Sequence, residues 1–321
     1  MRSAYPEAHI AYLAETEAAS LLQHNPYLDE IIAYDTRKNA LSQFLFFRRL
    51  RAQKYDLAID FFGNPRTALL TYATGASVRV GIDGRTRSGL YTHRIIDEPH
   101  PKTAIQFYLQ FLQALGVEAT STKTEIFLTE DERREARIYL QWNGVDVERP
   151  TVALHPGASW PAKIWPSERF AQLADYLFAK LGAQVILTQG PKDRETVAEV
   201  SRKCVGSIKT LDVLPLRQLA AVLSRMNAFV ANDSGPMHIA VAVGTKTIGI
   251  FGPGEENIWF PYDTSEGHLA LRKDVWCHPC HLDFCDKQGD EYMKCMKLLE
   301  VNEVLEAVES LLQRGPVKAS V

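Results

Sequence analysis

Residues 228–244 read AFVANDSGPMHIAVAVG. An apolar run, Ala228 to Ala231, stops at Asn232-Asp233-Ser234-Gly235-Pro236, and a second, Ile239 to Val243, follows at once and ends at Gly244. The first run has the character of a strand covered on both faces. Ahead of the second, Asp233 or Ser234 stands where a helix N-cap belongs, and Pro236 suits the first helical turn. The stretch therefore reads as a buried strand turning directly into a buried helix. Gly235 leaves the backbone open to close approach by a ligand. Free N–H groups and the positive end of the helix dipole then meet at one spot, which is an anion site suited to phosphate. Plain capping by Asp and Ser is the alternative reading of the same residues.

The alternation continues outward from this stretch. Strand-like runs occupy 9–14, 30–34, 56–62, 77–82, 151–157, 183–190, 228–232 and 247–252, with helical runs between them at 40–53, 103–115, 130–142, 167–181, 193–203, 215–226 and 236–243. Such βα units predict an α/β fold with parallel sheets and helices on both faces. GVDVERP (144–150) is a polar break carrying Gly and Pro, and a fresh strand starts at Thr151. Two α/β domains are expected, 1–148 and 151–300, with a C-terminal helix and tail at 301–321 free to pack on either.

The 321 residues carry a net charge of −3, with 46% hydrophobic and 23% charged residues, the balance of a soluble globular chain. That charge excludes a strongly basic nucleic-acid footprint. No apolar run reaches the ~18–20 residues that span a bilayer, and MRSAYPEAHIAYLAE lacks the pattern of a secretory signal. A cytoplasmic protein is expected, with no nucleic-acid partner and no transmembrane segment. The run FLFFRRLRAQK (44–54) reads mainly as a helix with ordinary core Phe and Leu; contact with the inner leaflet is the lesser alternative.

Ligands of open α/β sheets bind beyond the carboxyl ends of the strands, so those ends hold the candidate site. In LHPGASWPAKIWPSER, Lys163 sits in a loop stiffened by Pro156, Pro161 and Pro166 and flanked by Trp160 and Trp165. In TQGPKDRE, Gly190-Pro191 turns the chain and Asp193 is a candidate N-cap. His238 follows two residues into the helix of the opening stretch. In GIFGPGEENIWFPY, Gly252-Pro253-Gly254 permits close backbone approach, and Trp259, Phe260 and Tyr262 either wall a base or simply pack. Together these four ends describe a nucleotide-diphosphate cleft. The chain has no G-x-G-x-x-G, P-loop, G-x-S-x-G or H-E-x-x-H motif, and no Asp-x-Asp pair to clamp a divalent ion. Lys163 and the helix end at 233–236 are left to meet the diphosphate charge. Cys277, Cys280, Cys285 and Cys295 crowd together, with His278 and His281 interleaved. This spacing suits structural zinc or an iron–sulfur centre, or a redox-sensitive structural loop.

At LHPGASWPAKIWP, ILTQGPKDRE, NDSGPMHIAVAVGTKTIGIFGP and WCHPCHLDFC, and in the first half at NPYLDEII, DFFGNPRTALLTYATGASVRVGI and GRTRSGLYTHRI, the sequence resembles glycosyltransferase family 9, the ADP-heptose:lipopolysaccharide heptosyltransferases. The resemblance covers nearly the whole chain. It implies a GT-B architecture, two Rossmann-like domains with parallel sheets facing a central cleft, donor in the second and acceptor in the first. It implies transfer of heptose from ADP-heptose to the lipopolysaccharide inner core at the inner leaflet, with inversion and no required metal. Residue by residue, Lys163 would bind the donor diphosphate, Asp233 organise the site, Ser234 and Gly235 offer N–H groups and His238 support them. Asp193 or Glu195 falls near the family's acidic ribose contact. Arg66, Arg85, Arg87 and Arg94 are candidates to meet the anionic acceptor. The family's general base lies in a Gly-Asp loop after a first strand. RSAYPEAHIAYLAE matches the end of the first helix and the second strand, so the first strand and the base are expected upstream of Met1, within roughly 20–30 residues. A different GT-B nucleotide-sugar enzyme, an epimerase of similar fold, and a donor-binding remnant without its base are the competing readings.

Overall fold

The computed structural model describes residues 1–84, 87–96 and 102–313. In chain order the strands and helices are β1 (Ala11–Glu15), α1 (Thr16–Ala19), β2 (Glu30–Tyr34), α2 (Ala40–Ala52), β3 (Leu57–Ile59), α3 (Pro65–Ala73), β4 (Val78–Ile82), β5 (His93–Ile95), α4 (Ala104–Gln113), α5 (Glu130–Trp142), β6 (Thr151–His155), α6 (Ser167–Leu181), β7 (Gln184–Leu187), α7 (Arg194–Lys203), β8 (Lys209–Thr210), α8 (Leu216–Leu223), β9 (Ala228–Asn232), α9 (Gly235–Ala242), β10 (Thr247–Ile250), α10 (Glu256–Trp259), β11 (His268–Leu271), α11 (Lys294–Lys297) and α12 (Val301–Gln313). The alternation read from the sequence is present. The strands at 30–34 and 228–232 and the helices at 130–142 and 167–181 fall where they were expected.

The chain divides into two compact units, Met1–Thr16 with Tyr27–Thr122, and Glu17–Pro26 with Lys123–Val321. The division is not at 144–150. Helix α5 belongs to the second unit because Ala136, Leu140 and Val145 pack into the same core as Leu219 and Leu223 of α8. Its start is fixed by a capping box, Thr129 Oγ1 accepting from Glu132 N while Glu132 returns a bond to Thr129 N. Arg217 of α8 donates to both carboxylate oxygens of Glu132, at 2.6 and 2.8 Å. The same guanidinium reaches the carbonyls of Ser20, Leu21 and Gln23, which draws the segment 17–26 into this unit.

In the first unit the strands form two parallel ladders, β1–β2 and β3–β4–β5. The run expected as a strand over 56–62 is cut to three residues. Asp60 Oδ1 accepts from the amides of Phe62 (3.0 Å) and Gly63 (2.9 Å), turning the chain into the Asn64 cap of α3. The core expected from FLFFRRLRAQK is only half realised. Phe46, Phe47 and Leu50 pack with Ile32, Tyr34 and Leu70, whereas Phe44 and Leu45 are exposed.

The second unit holds one six-stranded parallel sheet, ordered β11-β10-β9-β6-β7-β8. Every residue of β6 and β9 is buried, because both faces are covered. Val152 and Leu154 of β6 face α6, α7 and α12, with Trp165, Phe170, Leu177, Val304 and Val308 among the packing residues. Ala153 faces the opposite side with Phe229, Ala231, Leu219 and Met237. The C-terminal helix thus packs on this unit; residues 314–321 of the expected tail lie outside the described residues. Strand order reverses between β6 and β9, whose register sets His155 opposite Ala231. The loops leaving those two strands therefore start side by side, at the crevice where open α/β sheets take their ligands.

Candidate functional site

Strand β9 ends in Asn232, which is fully buried. Its Nδ2 donates to the Pro156 carbonyl (2.8 Å) and its Oδ1 accepts from Trp165 N (3.1 Å). One side chain thus pins both ends of the 156–165 loop against the next strand. Trp165 is itself buried and donates from Nε1 to Leu299 O (3.0 Å). The loop between these anchors carries Lys163 to 2.6 Å from Asp233 Oδ2, with the ammonium 4.3 Å from the Trp160 ring centroid. The Lys163 and Asp233 side chains are 17% and 7% exposed. A Cβ on Gly254 would come within 2.8 Å of Asp233 Oδ2 and 3.9 Å of Lys163 Cε. The glycine of the Gly252-Pro253-Gly254 turn is what lets that loop close over the ion pair.

The start of α9 differs in detail from the expected cap. Ser234 is the N-cap residue, yet its hydroxyl makes no capping bond and is buried without a partner among the described residues. Asp233 does not cap either; it pairs with Lys163. Pro236 has no N–H, and the Met237 amide bonds Ser234 O at 3.1 Å. The amides of Ser234 and Gly235 have no acceptor among the described residues. A Cβ on Gly235 would meet no protein atom within 4 Å. Neither packing nor backbone conformation demands glycine there, whereas close approach by a ligand would. His238 Nδ1 stands 2.8 Å from Tyr262 Oη. Burial lowers the pKa of His238, with Asp233 opposing and Lys163 adding to the shift, so the neutral ring is favoured. Burial pushes the Tyr262 phenol up to about 12.

Of the expected aromatic wall, Phe260 goes to the core against Phe251 and Tyr262, while Trp259 is 46% exposed. Asp193 is the N-cap residue of α7, yet its side chain makes no capping bond to the helix. Its Oδ2 accepts from Gly190 N (2.7 Å) and lies 3.5 Å from His155 Nε2. Burial lowers the pKa of His155, which also contacts Thr188 Oγ1 at 3.0 Å. Gly157 makes room for this arrangement, since a Cβ there would fall 2.2 Å from Asp193 Cγ. Asp193 thus lies beneath the loop that follows β6, while Glu195 is exposed in the first turn of α7.

In the first unit, Arg66 is exposed in the first turn of α3 and Arg87 donates to Pro65 O at 3.2 Å, so these two arginines flank the same helix start. Arg94 on β5 sits 3.9 Å from Asp83. Arg85 lies outside the described residues.

The cysteine segment braces the loops that follow β6 and β10. Asp283 O accepts from Ala162 N (2.9 Å), Pro253 O accepts from His281 N (3.1 Å), and His278 Nδ1 stands 2.9 Å from Gly252 O. Cys295 packs over Gly252, and burial, then the nearby Cys277, Cys280 and Cys285, push its thiol up to about 11. Cys285 Sγ accepts from Met293 N at 3.3 Å. The expected zinc or iron–sulfur site has no assembled ligand set: among the described residues no three His, Cys, Asp or Glu side chains converge on a metal position.

The sequence reading missed Asn232, His155 and Thr188. A polar side chain at the very end of an otherwise apolar strand was the available signal for each, since such a group has to find a partner when buried.

The glycosyltransferase family 9 (heptosyltransferase) profile matches residues 44–289. Lipopolysaccharide heptosyltransferase 3 of Escherichia coli (strain K12) is 28% identical over 331 residues, spanning 97% of this chain and 92% of that protein. A family 9 glycosyl transferase structure from Veillonella parvula superposes with a TM-score of 0.85 at 27% identity, covering 98% of this chain and 91% of that one. The structure of E. coli ADP-heptose lps heptosyltransferase II shares the fold, with a TM-score of 0.78 at 23% identity over 98% of this chain and 92% of that one. The α/β fold with two Rossmann-like units is therefore the GT-B-like fold of these enzymes. The chain is a glycosyltransferase belonging to family 9, the heptosyltransferases.

Proposed function

We propose that this enzyme binds ADP-heptose at the β6/β9 crevice and transfers the heptose, with inversion and without a metal, to the inner core of lipopolysaccharide. The observation that carries the reading is the Lys163–Asp233 pair set beside the unpartnered Ser234 hydroxyl and the open start of α9. In this reading Lys163 Nζ meets the diphosphate, and the Ser234 and Gly235 amides with the Ser234 hydroxyl donate to its oxygens. Asp233 holds Lys163 in place, and neutral His238, steadied by Tyr262, supports the same helix end. Asp193, or Glu195 two residues on, faces the ribose.

An acceptor hydroxyl attacks the anomeric carbon opposite the diphosphate. The new carbon–oxygen bond forms as the bond to phosphate oxygen breaks, and the electron pair leaves with ADP. The hydroxyl proton passes to a base, a role assigned to none of the described residues. Charge growing on the leaving diphosphate is met by groups already oriented, which is the largest source of rate such a site can supply. The acceptor carries phosphates and acidic sugars, and Arg66, Arg85, Arg87 and Arg94 suit it. Among the described residues no helix is long and apolar enough to cross a membrane; the enzyme acts from the cytoplasmic side.

Calorimetric titration of ADP, UDP and GDP against the protein, with Lys163→Ala and Asp233→Ala beside it, tests the reading. ADP-selective binding weakened by both changes is expected. Preference for UDP or GDP would move the assignment to another nucleotide sugar, and folded protein that binds none of the three would overturn the donor site.

A further inference from the structure

We propose that the outward face of α2 docks the protein on an anionic phospholipid surface. Leu41, Phe44 and Leu45 are 67%, 57% and 53% exposed. Their spacing places all three on one side of the helix, opposite Phe46, Phe47 and Leu50, which fill the core beneath. Three large apolar side chains gathered on one turn and left in water form a contiguous patch of the kind that marks a contact surface.

The charge around the patch identifies the occupant. One turn on, the same face carries Arg48, flanked by Arg49 and Arg51; Lys38 precedes the helix and Lys54 follows it. All five are exposed. Of these, Arg49 is paired, with Glu30 at 3.3 Å. Arg48, Arg51, Lys38 and Lys54 have no carboxylate within ion-pair distance among the described residues. The chain as a whole carries −3, so this face runs against the overall sign. An apolar patch ringed by unneutralised arginine and lysine fits the headgroup boundary of an anionic bilayer. The Leu and Phe side chains enter to a depth of ~5–10 Å, and the long cationic stems reach the phosphates.

Co-sedimentation of the full chain with phosphatidylcholine vesicles, with and without phosphatidylglycerol, tests this without any sugar donor, so its failure leaves the donor-site reading standing. Binding to the anionic vesicles is expected, weakened by salt and much lower on the neutral ones. Arg48→Gln and Arg51→Gln should each weaken it about fivefold. Leu41→Ser/Phe44→Ser/Leu45→Ser should remove most of it while leaving the unfolding midpoint in place. Wild-type protein that stays in solution with anionic vesicles overturns the proposal, as does a triple variant that still binds them fully. A self-association in sedimentation equilibrium that this triple variant abolishes would assign the face to a second copy of the chain instead.

Discussion

Removing Lys163 should do more than delete one contact, because it strands Asp233. A charge-assisted hydrogen bond to a phosphate oxygen contributes about 1.5–3 kcal/mol. The Asp233 side chain is only 7% exposed and its carboxylate has no other cation within reach in the ion pairs described. Once bare, it repels the incoming diphosphate. Two unit charges about 6 Å apart interact by about 3 kcal/mol at an effective dielectric near 20, and residual solvent cuts that further. Lys163→Ala should therefore weaken ADP by about 4 kcal/mol, close to ~10³-fold. Asp233→Ala alone leaves the lysine charge but loses its anchor, for about a tenfold loss. The double variant removes the repulsion along with the attraction, so it should bind ADP about tenfold more tightly than Lys163→Ala alone. Titration calorimetry of the four proteins, each checked for an unchanged unfolding midpoint, reads this coupling. Strictly additive losses would show that Asp233 does not act through Lys163, and unchanged ADP binding by Lys163→Ala would refute the cradle altogether.

Two further outcomes follow from the same geometry. Gly235→Ala puts a methyl group into space that no protein atom occupies within 4 Å; stability should hold or rise by about 0.5 kcal/mol from helix propensity, while ADP affinity falls at least tenfold, and a variant with undiminished affinity would show that no ligand approaches there. The Arg217 bonds first, and those from Thr129 after them, hold the Glu132 carboxyl at about 2 instead of 4.5. Its stabilisation is complete above pH 4.5 and is lost as pH falls toward 2, by about 1–2 kcal/mol once solvent screening is allowed for. Arg217→Met should flatten that part of the urea-denaturation pH profile and cost about 3 kcal/mol at neutral pH.

Much of the second unit is legible in the sequence because its signals are local. AFVAN is apolar at four of five positions, DSGP follows without a spacer, and a second apolar run, Ile239 to Val243, comes within the next turn. A strand and a helix so closely joined leave little freedom about where the turn faces. The division between units is legible only in part. GVDVERP has the composition of a linker, yet it is a turn within one core, because the contacts that decide ownership join residues far apart: Arg217 with Glu132, and Arg217 with Gln23. Nothing about a single arginine in a helix foretells which carbonyls it will satisfy.

The same distinction separates the parts of the site. Lys163, Asp233, Ser234 and Gly235 are readable because a polar residue beyond a buried strand has few reasons to be there. What the sequence leaves open is how they divide the work, since capping and ligand binding draw on the same residue types. The fold shows that neither the Asp233 nor the Ser234 side chain caps α9. Were the start of α9 merely capped, Ser234 Oγ or Asp233 would accept a bond from the first turn. Instead, among the described residues the hydroxyl is buried without a partner, the carboxylate faces Lys163, and a Cβ on Gly235 would have no neighbour within 4 Å. Buried polar groups left without partners carry a free-energy cost of about 1–3 kcal/mol each. That cost has no return in the folded chain alone, and a bound diphosphate would offset it.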